Sequence, residues 1–357
     1  MAQSVAECWF LDVGQGTSNI ILLGDGRAIV IDCGPLGCNV PLSFLKRYVS
    51  VIEQLILSHN DSDHDGGAAG IIQAYPRAIK KIRFLSDRPS GYMRVFQVLK
   101  HERRAGNLLC EPERLEALEN PQCVFSDVNS GIELRLLYPT FTESLEAQGA
   151  GARRPNVTCG VLALFCGRRS VVFSGDATSE TWEALASRLS SKLPLRCDVL
   201  AVPHHGGHLL PRKIGETDDE HRDMEEKFLR RLYSEILYPR YSVISVGTSN
   251  KFGHPIPATI TAISSLGIRV LCTEMTPHCS SDLESVRPGL VTPASPSRST
   301  HQVRKTSAGR SKDVGCCGSI IAEIGAEKVA ISRWTEHQIA LDNAVDAGTV
   351  RPLCRAS

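Results

Sequence analysis

Ser58-His59-Asn60-Asp61-Ser62-Asp63-His64-Asp65-Gly66-Gly67 is the stretch on which the reading of this chain turns. It follows Val51-Ile52-Glu53-Gln54-Leu55-Ile56-Leu57, an apolar run that reads as a buried strand ending at the cluster. Two histidines and two carboxylates within six residues, just past a strand end, form a compact set of metal-ligand side chains. Imidazole and carboxylate together suit zinc, manganese or iron, and such groups can be shared between two ions. Gly66 and Gly67 let the backbone turn tightly before a helix that opens at Ala68. The plain alternative is a polar loop that caps a helix. A cap needs one such side chain, and this stretch offers five.

Upstream, Cys8-Trp9-Phe10-Leu11-Asp12-Val13-Gly14-Gln15-Gly16 reads as a strand closing in a Gly-rich turn. It is not a phosphate loop, because no Gly-Lys-Ser/Thr follows. Residues 19–23 and 28–31 form a hairpin around Gly24-Asp25-Gly26, and its second strand ends at Asp32-Cys33-Gly34. A helix over 41–48 then leads to the strand that carries the His59 cluster. Beyond the cluster come a helix over 68–75 and a short strand over 82–85. A charged helical pattern over 92–118 follows, interrupted at Gly106 and Pro112, and then strands over 123–125 and 132–138.

Arg153-Arg154 lie in a turn-rich loop before Asn156-Val157-Thr158. Strands over 161–165 and 171–174 follow, the second ending in Gly175-Asp176. The next helix places Trp182, Leu185 and Leu189 on one face. A strand over 199–202 ends in Pro203-His204-His205-Gly206-Gly207. Residues 217–237 give the longest helical pattern, with an acidic start and basic later turns that suit the helix dipole. A strand over 241–246 precedes Phe252-Gly253-His254-Pro255, then a helix around 260–266 and a strand over 268–272. From 277 to 314 Pro, Ser, Arg and Thr dominate and apolar periodicity vanishes, which reads as a flexible excursion. Its Arg298, Arg304, Lys305, Arg310 and Lys312 suit either a solvated loop or an acidic partner. Residues 319–324 and 328–331 form a last hairpin, and the tail from Trp334 gives no clear pattern.

Candidate ligands thus recur at strand ends: Asp32, His59, Asp61, Asp63, His64, Asn156, Asp176, His204, His205 and His254. The plain readings are a turn cap for Asp32, a helix cap for Asp176 and a loop residue for His254. His101, His208, His221, His278, His301 and His337 lack the strand-end context and read as surface residues.

The pattern His-x-Asp-x-Asp-His-x-Gly-Gly resembles the first metal motif of the metallo-β-lactamase fold, whose usual form is His-x-His-x-Asp-His. Asp61 stands where the second histidine would be, a variant that looks like the ComEC-like, competence-type branch. The remaining motifs follow in order: Asp-Val-Gly-Gln-Gly at 12–16, Ser-Gly-Asp at 174–176, Val-Pro-His-His-Gly at 202–206 and Gly-His-Pro at 253–255. Any one alone is weak, but together they are specific, over about residues 8–272 and the last hairpin. Two positions depart from the pattern. Thr17 stands where an acidic residue is more usual, and no histidine lies near Asn156.

The resemblance implies an α/β (α+β) fold, the metallo-β-lactamase-like four-layer αββα sandwich. It would comprise a domain over 1–275, the excursion 276–314, a closing hairpin of the same domain over 315–333, and a C-terminal tail over 334–357. It implies two divalent metal ions, manganese or zinc. By carry-over His59 and Asp61 hold one ion, Asp63 and His64 the other, and Asp176 bridges them. One of His204 and His205 completes the second site, and Asp32 and Asn156 are further candidates. Without a nitrogen at Asn156 the first site is oxygen-rich, which favours manganese. Asp63 and His254 are the catalytic candidates, for water orientation and for phosphate contact or proton donation. The implied function is a metal-dependent hydrolase, a phosphodiesterase or nuclease acting on nucleic acid or nucleotides. The alternatives are a phosphodiesterase for a small or cyclic nucleotide and a non-catalytic partner module of a multi-protein system. The fold by itself does not choose, since it also hosts thioester and lactam hydrolysis.

Composition adds bounds. The 357 residues are 42% hydrophobic and 22% charged, ordinary for a globular protein. A net charge of +1 gives no global case for nucleic-acid binding, so any basic patch is local. No apolar run approaches the ~20 residues of a membrane span, and no signal-like N-terminus is evident. A cytoplasmic protein is expected. The thirteen cysteines show no framework and read as reduced core thiols; Cys316-Cys317 lack a C-x-x-C partner and do not read as a zinc knuckle.

Overall fold

Strands whose successive residues are all apolar need cover on both faces. Cys8, Trp9, Phe10 and Leu11 are all buried, as are Ala28 to Ile31 and Leu55 to Leu57. The computed structural model describes residues 6–85, 92–118, 121–149, 155–192, 195–280, 283 and 314–355. Their strands form two sheets. From edge to edge the first holds β15 (Val329–Ile331), β14 (Ile320–Ile324), β1 (Ala6–Phe10), β2 (Asn19–Gly24), β3 (Arg27–Ile31), β4 (Val51–Leu57), β5 (Ile82–Phe84) and β6 (Pro112–Arg114). The second holds β13 (Arg269–Cys272), β12 (Leu237–Ile244), β11 (Leu195–Ala201), β10 (Arg169–Phe173), β9 (Val161–Cys166), β8 (Ile132–Tyr138) and β7 (Gln122–Asp127). Both are mixed, β3 to β6 and β10 to β13 running parallel.

Strand alternation sorts the side chains into layers. Cys8, Phe10, Ile29 and Ile31 face Leu164, Phe173 and Val199 between the sheets. Phe10 stacks on Phe173 there, with centroids 5.9 Å apart. Trp9, Val30 and Leu55 point the other way, onto α1 (Val40–Tyr48), α3 (Ala68–Ala74) and α4 (Met93–Arg104). Val172 and Leu200 meet α6 (Ser179–Arg188), α7 (Asp218–Arg231) and α8 (Pro257–Ser264) on the far side. This is the four-layer αββα sandwich. Among the described residues no helix is long and apolar enough to cross a membrane.

Several boundaries differ from expectation. The 217–237 helix ends at Arg231, and a wider turn over Leu232–Ile236 passes straight into β12. Pro239 concealed this early strand start. β13 begins to pair only at Tyr241, so on that side Pro239 lies beyond the ladder and its missing N–H costs nothing. The 92–118 pattern is helical only to Arg104; the chain then extends into β6. Three helices were not anticipated: the single turn α2 (Ser62–Asp65), α5 (Phe141–Gly149), and α9 (Trp334–Asp346) in the tail. Most of 276–314, including Arg298, Arg304, Lys305, Arg310 and Lys312, and Arg153-Arg154 lie outside the described residues.

The chain ends of β3, β4, β10, β11 and β12 carry Asp32, the His59 cluster, Asp176, His204-His205 and the loop to His254. Loops at strand ends are free to shape a site while the sheets keep it rigid.

Candidate metal centre

The cluster after β4 folds into one helical turn, α2 (Ser62–Asp65), preceded by Asp61 in extended backbone. That turn is held by the Gly-rich loop after β1. Thr17 N–H donates to Asp63 O at 3.0 Å, and Ser245 Oγ, from the other half of the chain, donates to Gly16 O at 2.7 Å. Gly16 has φ +143°, and a Cβ there would sit 2.5 Å from Asp63 O. The loop is therefore a brace for α2. Gly66 and Gly67 do not serve as a tight turn: both are helical, at φ −56° and −83°. Their role is close approach, since a Cβ would lie 2.2 Å from Leu36 N or 2.3 Å from Cys33 O.

Asp32, fully buried, accepts from Ser58 N–H and from Ser58 Oγ, both at 2.7 Å, and from His64 Nδ1 at 2.8 Å. His59 Nδ1 lies 3.1 Å from Ser58 Oγ, His205 Nδ1 lies 2.8 Å from Ser245 O, and His204 Nδ1 lies 2.9 Å from His208 O. These partners assign the proton to Nδ1 in all four rings and leave each Nε2 lone pair for the centre. Asp32 is thus a positioning residue rather than a turn cap.

The four Nε2 atoms surround Asp176. Its Oδ2 lies 3.7 Å from His59 and 3.8 Å from His204. Its Oδ1 lies 3.1 Å from His64 and 3.6 Å from His205. Asp61 Oδ2 is 3.6 Å from His59 Nε2, and Asp63 Oδ2 is 3.4 Å from His205 Nε2. The ligand atoms of His59, His64 and Asp176, and those of Asp63, His64 and His205, lie within 4.8 Å of one another. Nε2 of His59, His64 and His205 and Oδ1 of Asp176 are buried with no well-formed hydrogen bond among the described residues. Buried polar atoms left this way cost about 1–3 kcal/mol each, and a cation between them removes that penalty. The residues fit a metal centre.

Electrostatics agree. Burial works to raise the Asp176 carboxyl, but His64, His205 and His204 outweigh it and hold it well below the usual carboxylate range. Burial likewise opposes ionisation of Asp63, yet the close approach of the His205 ring and the charge of His64 bring it down to about 2. Burial lowers His64, but Asp176 and Asp32 raise it well above the ordinary imidazole value, so a cation held at Nε2 would take the place of that ring's second proton.

The two histidines after β11 differ through their backbone. His204 and His205 both adopt left-handed φ, 53° and 55°, at a cost of about 1–2 kcal/mol per residue. The kink sends His205 to the Asp63 side and His204 to the His59 side. His254 packs beside them, with ring centroids 5.2 Å from His204 and 6.2 Å from His205. Burial, then the neighbouring His204 and His205, push its imidazole down to about 3, so the ring is neutral. Asn250 clamps this loop, accepting from His254 N–H and donating to His254 O, both at 2.9 Å. Asn156 is half-buried, and its Oδ1 finds no hydrogen-bond partner among the described residues.

Sequence reasoning missed Cys159 and Ser58. Cys159 Sγ lies 3.5 Å from His59 Nδ1 and accepts from Asp176 N–H at 3.1 Å, so it supports two ligand candidates at once. Glu225 was also missed: buried in α7, it accepts from Leu209 and Leu210 N–H and anchors the segment after His205. His208 and His221, read as surface residues, lean toward Glu225, and His337 is buried in α9.

The chain is 27% identical over 202 residues to Recombination protein 2 of Haemophilus influenzae, covering 55% of this chain and 21% of the relative. It is 23% identical over 267 residues to Competence protein ComA of Neisseria gonorrhoeae, covering 74% and 30%. It therefore spans less than a third of the length of either. Among solved structures it is similar to Igni18, a metallo hydrolase from Ignicoccus hospitalis, at 15% identity and a TM-score of 0.43, covering 76% of this chain and 96% of that one. The model of the metallo-beta-lactamase superfamily matches residues 12–216, more than half of the chain, and the curated relatives are competence and recombination proteins: the chain belongs to the metallo-beta-lactamase superfamily, on its ComEC-like side.

Proposed function

We propose that this chain is a two-metal hydrolase that cleaves phosphodiesters with an activated water, nucleic acid being the favoured substrate. The observation that carries the reading is Asp176, whose two buried oxygens face two separate ligand groups. His59, Asp61 and His204 form the first with Oδ2, and Asp63, His64 and His205 form the second with Oδ1. His204 supplies the nitrogen that Asn156 lacks, so both sites mix imidazole with carboxylate and suit manganese or zinc. When bound, such ions supply Lewis-acid stabilisation of the phosphoryl oxygens and make an attacking water acidic.

Asp63 accepts a hydrogen bond from that water and aims it in line with the scissile bond. Asp61, Asp63 and His204 are the part-exposed members of the centre, with side chains 38%, 28% and 28% exposed, so the substrate enters on their side. His254, only 6% exposed, packs against His204 beneath that side. Its neutral ring suits a hydrogen bond to a phosphoryl oxygen better than delivery of a proton. Phe252, more than half exposed, stacks on His254 at 5.6 Å with Lys251 over its ring, which offers a base-stacking face beside a cation. One relative is named a recombination protein, and recombination is a process of nucleic acids.

The test is hydrolysis by purified manganese-loaded protein of single-stranded DNA, duplex DNA, RNA and cyclic nucleotides. Cleavage of a cyclic nucleotide alone would move the substrate to small nucleotides. Opening of a thioester or lactam with no phosphodiester cleaved would overturn the proposal. His254→Ala should lower kcat/KM roughly 10²-fold, the lower end expected for loss of such a group. The loss should persist with a nitrophenyl phosphodiester, whose leaving group needs no proton; recovery there would make His254 an acid after all. Asp32→Ala should loosen metal binding about 10–100-fold in a chelator competition, because His64 loses its orienting carboxylate.

A further inference from the structure

The chain carries a second group of soft ligands far from Asp176 in sequence and unlike it in chemistry. All five cysteines beyond residue 200 are Cys272, Cys279, Cys316, Cys317 and Cys354. They come from the end of β13, the turn after it, the segment before β14 and the turn after α9. Cys272, Cys279, Cys316 and Cys317 share one apolar cluster with Met275, Val314 and Leu341. Cys354 and Cys272 are both half-buried against the neighbouring apolar cluster of α6 to α8. The backbone fixes the adjacent pair against the end of β13: Cys316 N–H donates to Thr273 O at 2.9 Å and Cys317 N–H to Cys272 O at 3.0 Å. All thirteen cysteines are free thiols.

Into this group α9 delivers His337, only 6% exposed, with Nε2 3.0 Å from Cys317 Sγ. Its Nδ1 has no hydrogen-bond partner among the described residues. One ligand atom from each of Cys316, Cys317 and His337 lies within 4.8 Å of the other two. On a zinc tetrahedron with bonds of about 2.0–2.3 Å, ligand atoms stand about 3.3–3.8 Å apart, so small side-chain adjustments complete the geometry. Thiols packed as small apolar groups would account for the cysteines, but not for a buried imidazole placed among them.

We propose that Cys316, Cys317 and His337, completed by one of Cys272, Cys279 and Cys354, bind a single thiophilic divalent ion, zinc by its preference for sulfur and nitrogen. Binding displaces the thiol protons and leaves a closed Cys3His site with no open position, so the ion is structural. It fastens α9 to the adjoining ends of β13 and β14, which belong to different sheets. Cys317 and His337 line a cavity with Ser319, Ser332 and Trp334, which gives the ion a way in. The adjacent cysteines need no C-x-x-C spacing, because the other ligands come from segments brought together only by the fold.

Cobalt distinguishes this site from the His and Asp centre, since only thiolate ligands give an intense near-ultraviolet charge-transfer band. Full-length protein, purified under reducing conditions and loaded with Co²⁺, should show that band. It should survive in Asp176→Ala, which acts on the other centre. It should be lost in the double variant Cys316→Ser, Cys317→Ser, and be weakened and shifted in His337→Gln. A mercurial added to zinc-loaded Asp176→Ala should release about one zinc per chain, read with a chelating dye. Absence of the band in folded wild-type protein would overturn the proposal even if the serine variant fails to fold. A band that persists in the folded serine variant would overturn it too.

Discussion

Asp176→Ala is expected to lose both catalytic ions together and to reduce phosphodiester hydrolysis by at least roughly 10⁴-fold. This carboxylate presents one oxygen to each group, with Oδ2 toward His59 and His204 and Oδ1 toward His64 and His205. Its removal takes away the one buried anion at the centre of the four imidazoles and leaves only the part-exposed Asp61 and Asp63. His59→Ala should lose only the ion on its own side, and His205→Ala only the other. Native mass spectrometry, which counts bound ions chain by chain, reads the pattern directly. An Asp176→Ala protein that keeps two such ions, or that keeps wild-type rate, is incompatible with a bridging role.

How much of this centre was legible depends on the distance over which each residue's role is decided. His59 to His64 could be read because a buried strand and its polar end are adjacent in sequence. Asp32 was ambiguous for a physical reason: the same carboxylate at a strand end can close a turn or reach a partner. Only the packing of β3 beside β4 brings it to Ser58 and His64. Cys159 was illegible because a thiol before Gly160 and Val161 looks like any core residue. Its contacts with His59 Nδ1 and Asp176 N–H arise from the packing of one half of the chain on the other.

The division between His204 and His205 was hidden more deeply. Two successive left-handed residues decide which ring turns which way, and no side-chain pattern announces such backbone. The fold itself was readable because strand ends with polar clusters recur in order. Its errors fell where local pattern and tertiary demand part, as at Pro239 inside β12 and in the tail that becomes α9. His337 shows the same limit: it read as a surface residue because the thiols around it come from segments up to 65 residues away, from Cys272 to His337.

Asp63→Asn separates chemistry from assembly. The carboxylate is ionised at any working pH, being held at about 2, and its Oδ2 lies 3.4 Å from His205 Nε2. The amide keeps the size but removes the charge and one of the acceptor oxygens. An attacking water would then lose the group that accepts its hydrogen bond, and the second ligand group would keep only the Asp176 carboxylate as its anion. The rate should fall by roughly 10³–10⁵-fold. The first ion should stay, because His59, Asp61 and His204 are untouched. Folding should change little, since the side chain is part-exposed and the brace on α2 runs through the backbone oxygen of Asp63 rather than its carboxylate. The expected result is therefore a folded protein with near-normal melting, at least one ion per chain and almost no turnover under saturating manganese. Activity within tenfold of wild type under those conditions would remove Asp63 from the chemical step and shift water orientation to Asp61, the remaining part-exposed carboxylate of the centre.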